Sequence, residues 1–121
     1  VYRDSGLRQC IVVSVDVKKE IGCDRNRIDY IIKQRINQPK GYSAGSVFKR
    51  CNGIIVSKML DEMGYKGKRI GGAKVSEQHA GFIINDGGAS SKDIIELINT
   101  IKKDVKIKKG IDLEEEIKII E

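Results

Sequence analysis

The spacing of apolar side chains changes along this chain, and that change most constrains what the chain can fold into. Residues 9–17 alternate and place four aliphatic side chains on one side, which is the period of a β-strand. Residues 24–36, 53–63 and 91–109 instead gather their apolar side chains on one helical face. Helical and strand periods that alternate within 121 residues predict one α+β domain, in which helices cover a small sheet.

Residues at the ends of the helical segments support the same division. Asp24 is placed to cap the first helix, and Ser90 with Asp93 three residues later has the pattern of a capping box at the third. Gly64 and Gly110 follow the second and third helices, where a left-handed cap favours glycine.

Four more strands are predicted between and after these helices. They cover 46–49, a bent strand in the glycine-rich run 66–76, 80–85 and the terminal stretch 112–120. The predicted order after residue 43 is therefore strand-helix-strand-strand-helix-strand, which is compatible with a split βαβ arrangement.

Charge and cysteine content narrow the possible partners and the compartment. The formal net charge of +6 favours an anionic partner such as nucleic acid, acidic lipid or a phosphorylated small molecule. Cys10, Cys23 and Cys51 have no metal-ligand spacing, which predicts no metal and a reducing cytosol without a disulfide framework. No apolar run is long enough to span a bilayer.

The stretch SAGSVFK at 43–49 surrounds Ser46 with small residues just before a predicted strand. Bare backbone there would let a ligand approach closely, although a turn serine is the more common meaning of such a stretch. Phe48 stands where the nucleophile elbow of hydrolases needs its second glycine. The single histidine, His79, has no spacing that makes it a base for Ser46. A turn and a binding site both remain open.

The acidic residues of the last predicted strand present a similar choice. Alternation places Glu115 on the apolar side with Leu113 and Ile117, and it places Glu114 and Glu116 on the other. A solvated acidic edge is the plain explanation. One carboxylate at a pocket, as an acid or an electrostatic anchor, is the alternative.

Several basic residues flank the glycine-rich loops and would suit a phosphate site. They are Lys49, Arg50, Lys66, Lys68 and Arg69. Scattered surface charges explain them equally well, and a lone histidine such as His79 is usually structural or solvated.

Five blocks occur in an order and near-spacing that resemble a known family. They are YRDS at 2–5, QP at 38–39, SAGSVFK at 43–49, GYKGKRIGGAKVSEQHAGFIIN at 64–85 and LEEEIKII at 113–120. The family is UDP-N-acetylenolpyruvoylglucosamine reductase, also called UDP-N-acetylmuramate dehydrogenase, and the resemblance is to its carboxy-terminal part. It implies that residues 1–18, with their strand, are the tail of the FAD-binding region, and that 19–121 form the substrate-binding domain.

The resemblance implies a cytoplasmic bacterial flavoenzyme of peptidoglycan synthesis, and through it a role in cell shape and division. NADPH would reduce bound FAD, and the enolpyruvyl ether of UDP-N-acetylglucosamine would be reduced to UDP-N-acetylmuramate. The implied partners are UDP-N-acetylglucosamine enolpyruvate and the FAD-binding domain, with neither nucleic acid nor membrane. Because this sequence lacks the glycine-rich FAD-binding region, the isolated piece is expected to be catalytically silent.

The resemblance also assigns roles by motif. Ser46 is implied as the proton donor, Glu116 as the acid that polarises the substrate carboxylate, and Arg3 as the cation that stabilises the enolate. The residues implied to line the substrate or diphosphate region are Tyr2, Gly45, Lys49, Arg50, Lys66, His79 and Lys118.

The sequence departs from the family pattern in three places. Arg50-Cys51 stands where the family commonly has Asn-Pro or Arg-Pro, and Lys118 replaces the usual arginine and loses its bidentate fork. The loop from Pro39 to Ser43 is a residue short, and the Gln-Pro spacing favours the shorter of the family's two forms.

Two other functions stay open beside the reductase. One is a small basic module that binds nucleic acid or nucleotides, although the few aromatic residues show no pattern of a nucleic-acid-binding sheet face. The other is a reductase relative that has lost activity and serves in an interaction.

Overall fold

The computed structural model describes residues 10–18, 22, 24–36 and 38–120. Along the chain the elements are α1 (Arg25–Gln34), β1 (Tyr42–Ser46), α2 (Val56–Glu62), β2 (Arg69–Ile70), β3 (Ala73–Val75), β4 (Phe82–Asn85) and α3 (Ser91–Lys109). The four strands form one antiparallel sheet in the order β1-β4-β3-β2. The predicted α+β class is confirmed.

The predicted helix caps are present at both ends of α3. Ser90 Oγ accepts a hydrogen bond from Asp93 N at 3.2 Å, and Asp93 Oδ2 accepts from Ser90 N at 3.0 Å. Asp93 also accepts from Gly72 N at 3.4 Å, which ties the β2–β3 turn to the helix. The Ser90 and Gly72 backbone N–H groups hold the pKa of Asp93 below its usual value. Gly110 ends the helix with φ 69°.

Helix α1 starts at its predicted cap, and α2 is followed by its predicted glycine, Gly64 with φ 73°. Asp24 caps α1 through a 3.2 Å hydrogen bond from Arg27 N. Helix α2 begins at Val56, three residues later than predicted, because a turn occupies the positions before it. In that turn Ile54 N donates to Cys51 O at 2.8 Å, and Asn52 has φ 48°.

One hydrophobic core joins α2, α3, the sheet and the segment after α3. The apolar stripe predicted for α3 is buried at Leu97, Ile98, Ile101 and Val105. Tyr65 is the largest fully buried side chain, and its hydroxyl donates to Asp104 Oδ2 at 2.5 Å. Burial, and then this carboxylate, raise the pKa of Tyr65 well above its usual range.

Three of the strands predicted after residue 43 differ from the observed ones. The strand predicted at 46–49 lies earlier, as β1 at Tyr42–Ser46, and three strands instead of two lie between α2 and α3. The bent strand at 66–76 is a hairpin of β2 and β3, which turns at Gly71 with φ 53°. The terminal strand at 112–120 is reduced to one bridge, between Phe48 and Glu115. Two backbone hydrogen bonds flank that bridge, Lys49 N to Glu114 O at 2.9 Å and Glu116 N to Val47 O at 2.7 Å. The backbone then bends at 116–117, and the bend ends the pairing.

The strand predicted at 9–17 is not found in its described part. Residues 10–18 form neither helix nor strand, and their side chains are exposed. A strand needs a partner for its N–H and C=O groups, and residues 10–18 pair with neither edge of the four-stranded sheet. The apolar face of α1 is also uncovered, because α1 has no buried residue. Within the ranges described, no helix is long and apolar enough to cross a membrane.

Candidate functional site

A cavity of about 590 Å³ opens where β1, the turn before β4, the first turn of α2 and the segment after α3 meet. Five residues expected at the site line it, and they are Gly45, Ser46, Arg50, His79 and Glu116. The other lining residues are Gln38, Ala44, Phe48, Ile55, Val56, Ser57, Phe82 and Ile117. Segments far apart in the sequence thus meet around one space.

A β-bulge at Gly45 sets the position of Ser46. Strand β1 pairs with β4 through Ser43 opposite Ile84 and Ser46 opposite Phe82, so β1 carries one extra residue between these pairs. Gly45 takes φ 91° there, a conformation that favours glycine. A bulge redirects the side chains beside it, and Ser46 lies half-buried at the cavity. The small residues around Ser46 therefore build this bulge.

Val47 connects the Ser46 segment to the two segments beside it. Its N–H donates to Gly81 O at 2.8 Å, and its C=O accepts from Glu116 N at 2.7 Å. Its side chain is buried in the core. This backbone network fixes Ser46, the turn that carries His79, and Glu116 relative to one another.

The neighbouring Glu115 fastens the Glu116 segment to α3. Its Oε1 accepts a 2.7 Å hydrogen bond from Lys102 Nζ, and the two side chains are 23% and 34% exposed. The Lys102 ammonium holds the pKa of Glu115 below its usual value. Glu115 therefore pairs with the helix, and Glu116 lies at the cavity.

His79 lies half-buried in the turn before β4. Its Nδ1 accepts from Gly81 N at 3.1 Å, and its ring meets the Phe82 ring edge-on at a centroid distance of 4.8 Å. A neutral imidazole that accepts at Nδ1 carries its proton on Nε2. The ring therefore has one N–H donor left for a ligand.

Three other predicted site residues, all lysines, do not line this cavity. Lys49 pairs with Glu114, and Lys66 pairs with Asp61 at 2.6 Å. Lys118 is exposed and is not among the lining residues. Tyr2 and Arg3 lie outside the described residues.

Sequence reasoning missed the contribution of α2 to the cavity. Ile55, Val56 and Ser57, at the start of that helix, all line it. Their apolar spacing marks only the face that packs in the core, and it carries no sign of which residues border a cavity. Ser57 in particular gives no signal, because a serine near a helix start is common at exposed positions.

The lining residues define what the cavity can bind. Arg50 supplies a cation, Glu116 a carboxyl group, Ser46 and Ser57 hydroxyls, and His79 an N–H donor. This set suits a ligand rich in anionic oxygens, and it includes groups that can deliver a proton. Among the described residues, no group of His, Cys, Asp and Glu could hold a metal ion.

These features define a small α+β domain with a polar cavity at the end of an antiparallel sheet. The model of one protein family, UDP-N-acetylenolpyruvoylglucosamine reductase, C-terminal domain, matches residues 34–120. The chain belongs to this family, as its five sequence blocks predicted.

Individual relatives give the same result. The UDP-N-acetylenolpyruvoylglucosamine reductase of Syntrophomonas wolfei is 47% identical over 93 residues, which cover 76% of this chain and 31% of the relative. That of Clostridium botulinum strain 657 is 44% identical over 126 residues, covering 98% of this chain and 41% of the relative. The chain thus spans well under half the length of these curated relatives.

A solved structure agrees with the fold. The crystal structure of UDP-N-acetylenolpyruvylglucosamine reductase from Thermus caldophilus superimposes with a TM-score of 0.65 and 36% identity. The match covers 77% of this chain and 33% of that chain.

Proposed function

We propose that this chain is the substrate-binding part of an enzyme that reduces UDP-N-acetylglucosamine enolpyruvate to UDP-N-acetylmuramate with NADPH and FAD. Residues 19–121 would form the substrate domain and 1–18 the end of the FAD-binding region. The reaction would serve peptidoglycan synthesis, and so cell shape and division, in the bacterial cytoplasm. The observation that carries this proposal is that Ser46 and Glu116, from distant segments, line one cavity with Arg50 and His79.

Ser46 would complete the reduction as the proton donor. Reduction of the enolpyruvyl double bond adds a hydride to one carbon and a proton to its neighbour, and negative charge develops on the substrate in between. A serine hydroxyl is a weak acid, so it can give up its proton only to such a strongly basic carbon. The half-buried position of Ser46 at the Gly45 bulge supports this role.

Two side chains would stabilise the negative charge that develops on the substrate. Glu116 would act as the acid that polarises the substrate carboxylate, and Arg3 would stabilise the enolate. Arg50 and His79, which line the cavity with Glu116, would bind anionic oxygens of the nucleotide. Lys49, Lys66, Lys118, Gly45 and Tyr2 would contribute to the surrounding substrate or diphosphate region.

FAD would supply the hydride. The described residues contain two glycine pairs, Gly71-Gly72 and Gly87-Gly88, that could be considered for its diphosphate. A Cβ at Gly72 would lie 2.4 Å from Ala89 N, so the first glycine pair is closed by the chain's own backbone. At the second pair, Gly87 N and Ala89 N already donate to Asn85 Oδ1 at 3.1 and 3.0 Å. One N–H of each pair is thus already used within the chain, Gly72 N by Asp93 and Gly87 N by Asn85, and is not available to a diphosphate. We therefore assign FAD to the FAD-binding region.

A chimera tests the proposal. This chain would replace the matching segment of the Clostridium botulinum relative, and NADPH oxidation that depends on UDP-N-acetylglucosamine enolpyruvate would be measured. Ser46→Ala should lower kcat by roughly 100- to 10,000-fold, the usual contribution of a general acid, while reduction of FAD by NADPH continues. Ser91→Ala, the same change at an exposed serine outside this cavity, should keep the activity.

Two results would contradict the proposal. The first is a chimera that binds FAD but oxidises no NADPH in response to the enolpyruvyl nucleotide, which would favour an inactive relative. The second is a Ser46→Ala chimera as active as the unmodified one, which would remove Ser46 from the proton-donor role.

A further inference from the structure

Gly81 touches two parts of the cavity through its backbone alone. Its N–H donates to His79 Nδ1 at 3.1 Å, and its C=O accepts from Val47 N at 2.8 Å. Val47 directly follows Ser46 in the sequence. One residue therefore holds the imidazole on one side and the Ser46 segment on the other.

The surroundings of Gly81 leave no room for a side chain. A Cβ at this position would lie 2.9 Å from His79 Cε1, closer than real Cβ atoms approach, and 3.0 Å from Ser57 Cβ, a very tight contact. The backbone of Gly81 is not in the left-handed region that favours glycine. Close packing against His79 and Ser57, rather than backbone conformation, therefore explains the glycine.

The turn that carries His79 is itself fixed. Ser76 is buried, and its Oγ accepts from Gln78 N at 3.2 Å and from His79 N at 3.3 Å. Backbone hydrogen bonds from Phe82 N to His79 O and from Ser76 N to Phe82 O close the turn at 3.0 and 2.9 Å. The imidazole is thus positioned by its own turn, by the Phe82 ring and by Gly81.

We propose that Gly81 is a positioning residue that fixes the tautomer of His79. Its N–H occupies Nδ1, so the neutral ring presents Nε2–H to the cavity as a donor for an anionic oxygen of the ligand. Without this contact the two tautomers of imidazole would compete, and one of them presents an acceptor that repels such an oxygen. The nature of the ligand rests on the proposed function, and the tautomer does not.

The single histidine of the chain makes the tautomer directly measurable. Long-range ¹H–¹⁵N spectra of the ¹⁵N-labelled chain, at a pH where the ring is neutral, should show the Nε2–H form. In Gly81→Ala the added Cβ displaces the ring, and the spectra should move toward a mixture of tautomers. Gly110→Ala strains the backbone at the end of α3, away from the cavity, and should keep the original tautomer. A predominant Nδ1–H form in the unmodified chain would overturn the proposal even if Gly81→Ala fails to fold.

Kinetics of the chimera give a second readout. Gly81→Ala should raise KM for the enolpyruvyl nucleotide about tenfold with a smaller change in kcat, as expected for one hydrogen bond to a charged group. In a His79→Ala background the same change should have little further effect, because its partner is already absent. Independent, multiplying effects would show that Gly81 does not act through His79. An inactive chimera would contradict the proposed function, and the spectra would still decide the tautomer.

Discussion

Gly45 shows how one residue can determine the geometry of a site. Its φ of 91° creates the bulge that directs Ser46 toward the cavity, and nothing lies within 4 Å of where a Cβ would be. Gly45→Ala should destabilise the chain by about 1–2 kcal/mol, because an L-residue avoids this conformation. It should also lower turnover of the chimera, because the bulge can relax only by moving Ser46.

Gly41→Ala is the matched control for this change. Gly41 has φ 121° and equally open surroundings, and it does not line the cavity. Thermal unfolding and turnover should separate the two variants, with similar losses of stability and a loss of turnover only in Gly45→Ala. Equal turnover in both would mean that the bulge does not position Ser46.

Glu115 links the stability of the cavity wall to pH. Lys102 lowers the pKa of Glu115 in the folded state. The stabilisation of the fold by this ion pair is therefore present above the unfolded pKa of Glu115 and is lost as the pH falls through its folded pKa. Glu115→Gln should lower the free energy of unfolding by about 1 kcal/mol at pH 7, as for a partly exposed ion pair. The difference should vanish in acid below the folded pKa.

Urea denaturation across this pH range measures the effect. Glu114→Gln is the control, because the pair that Glu114 makes with Lys49 is far more exposed. A loss in Glu115→Gln that stays constant into acid would mean that the Lys102 pair is not its source.

The order of the motifs predicted five of the residues that line the cavity. Which other residues line it depends on how the chain packs. Lys49 is the last residue of the SAGSVFK block and Arg50 follows it, yet Lys49 pairs with Glu114 and only Arg50 lines the cavity. Successive residues of an extended segment point in opposite directions, and a motif does not say which direction faces the ligand. Ser57 could not be predicted, because it lies in the first turn of α2 and the position of that turn against the sheet depends on tertiary contacts.

At the scale of elements, α3 was predictable because local signals agree over its whole length. Its capping box, its apolar stripe and Gly110 all lie within the helix or beside it. Strands β2 and β3 contain two and three residues, too few to show a period of two. The terminal stretch alternates well, but its pairing depends on Phe48, which is distant in sequence.

The capping box of α3 has a consequence for stability. Ser90→Ala removes the acceptor for Asp93 N and should cost about 1 kcal/mol of unfolding free energy. Asp93→Ala should cost more, because Asp93 also accepts from Gly72 N and so ties the β2–β3 hairpin to the helix. Urea denaturation followed by circular dichroism measures both, with Ser91→Ala as the control beside the cap. A Ser90→Ala loss as large as that of Asp93→Ala would mean that the hairpin tie is unimportant.

For the whole molecule, the question is whether overall charge or the cavity selects the ligand. A net charge of +6 attracts any polyanion, and that attraction weakens steeply with salt. A nucleotide held by specific groups in the cavity should depend less on salt, because few charges are neutralised. Bound ligand should also raise the melting temperature of the chain, since it binds only the folded state.

Two charge-matched variants of this chain separate these causes. Arg50→Gln and Lys103→Gln each remove one positive charge, but only Arg50 lines the cavity, and Lys103 is an exposed residue of α3. With UDP-N-acetylglucosamine enolpyruvate as ligand, thermal shift at several salt concentrations should show about tenfold weaker binding in Arg50→Gln, for one lost charged hydrogen bond. Lys103→Gln should bind as the unmodified chain does. Equal weakening in both variants, with a steep salt dependence, would mean that diffuse charge attracts the nucleotide and that the cavity does not select it.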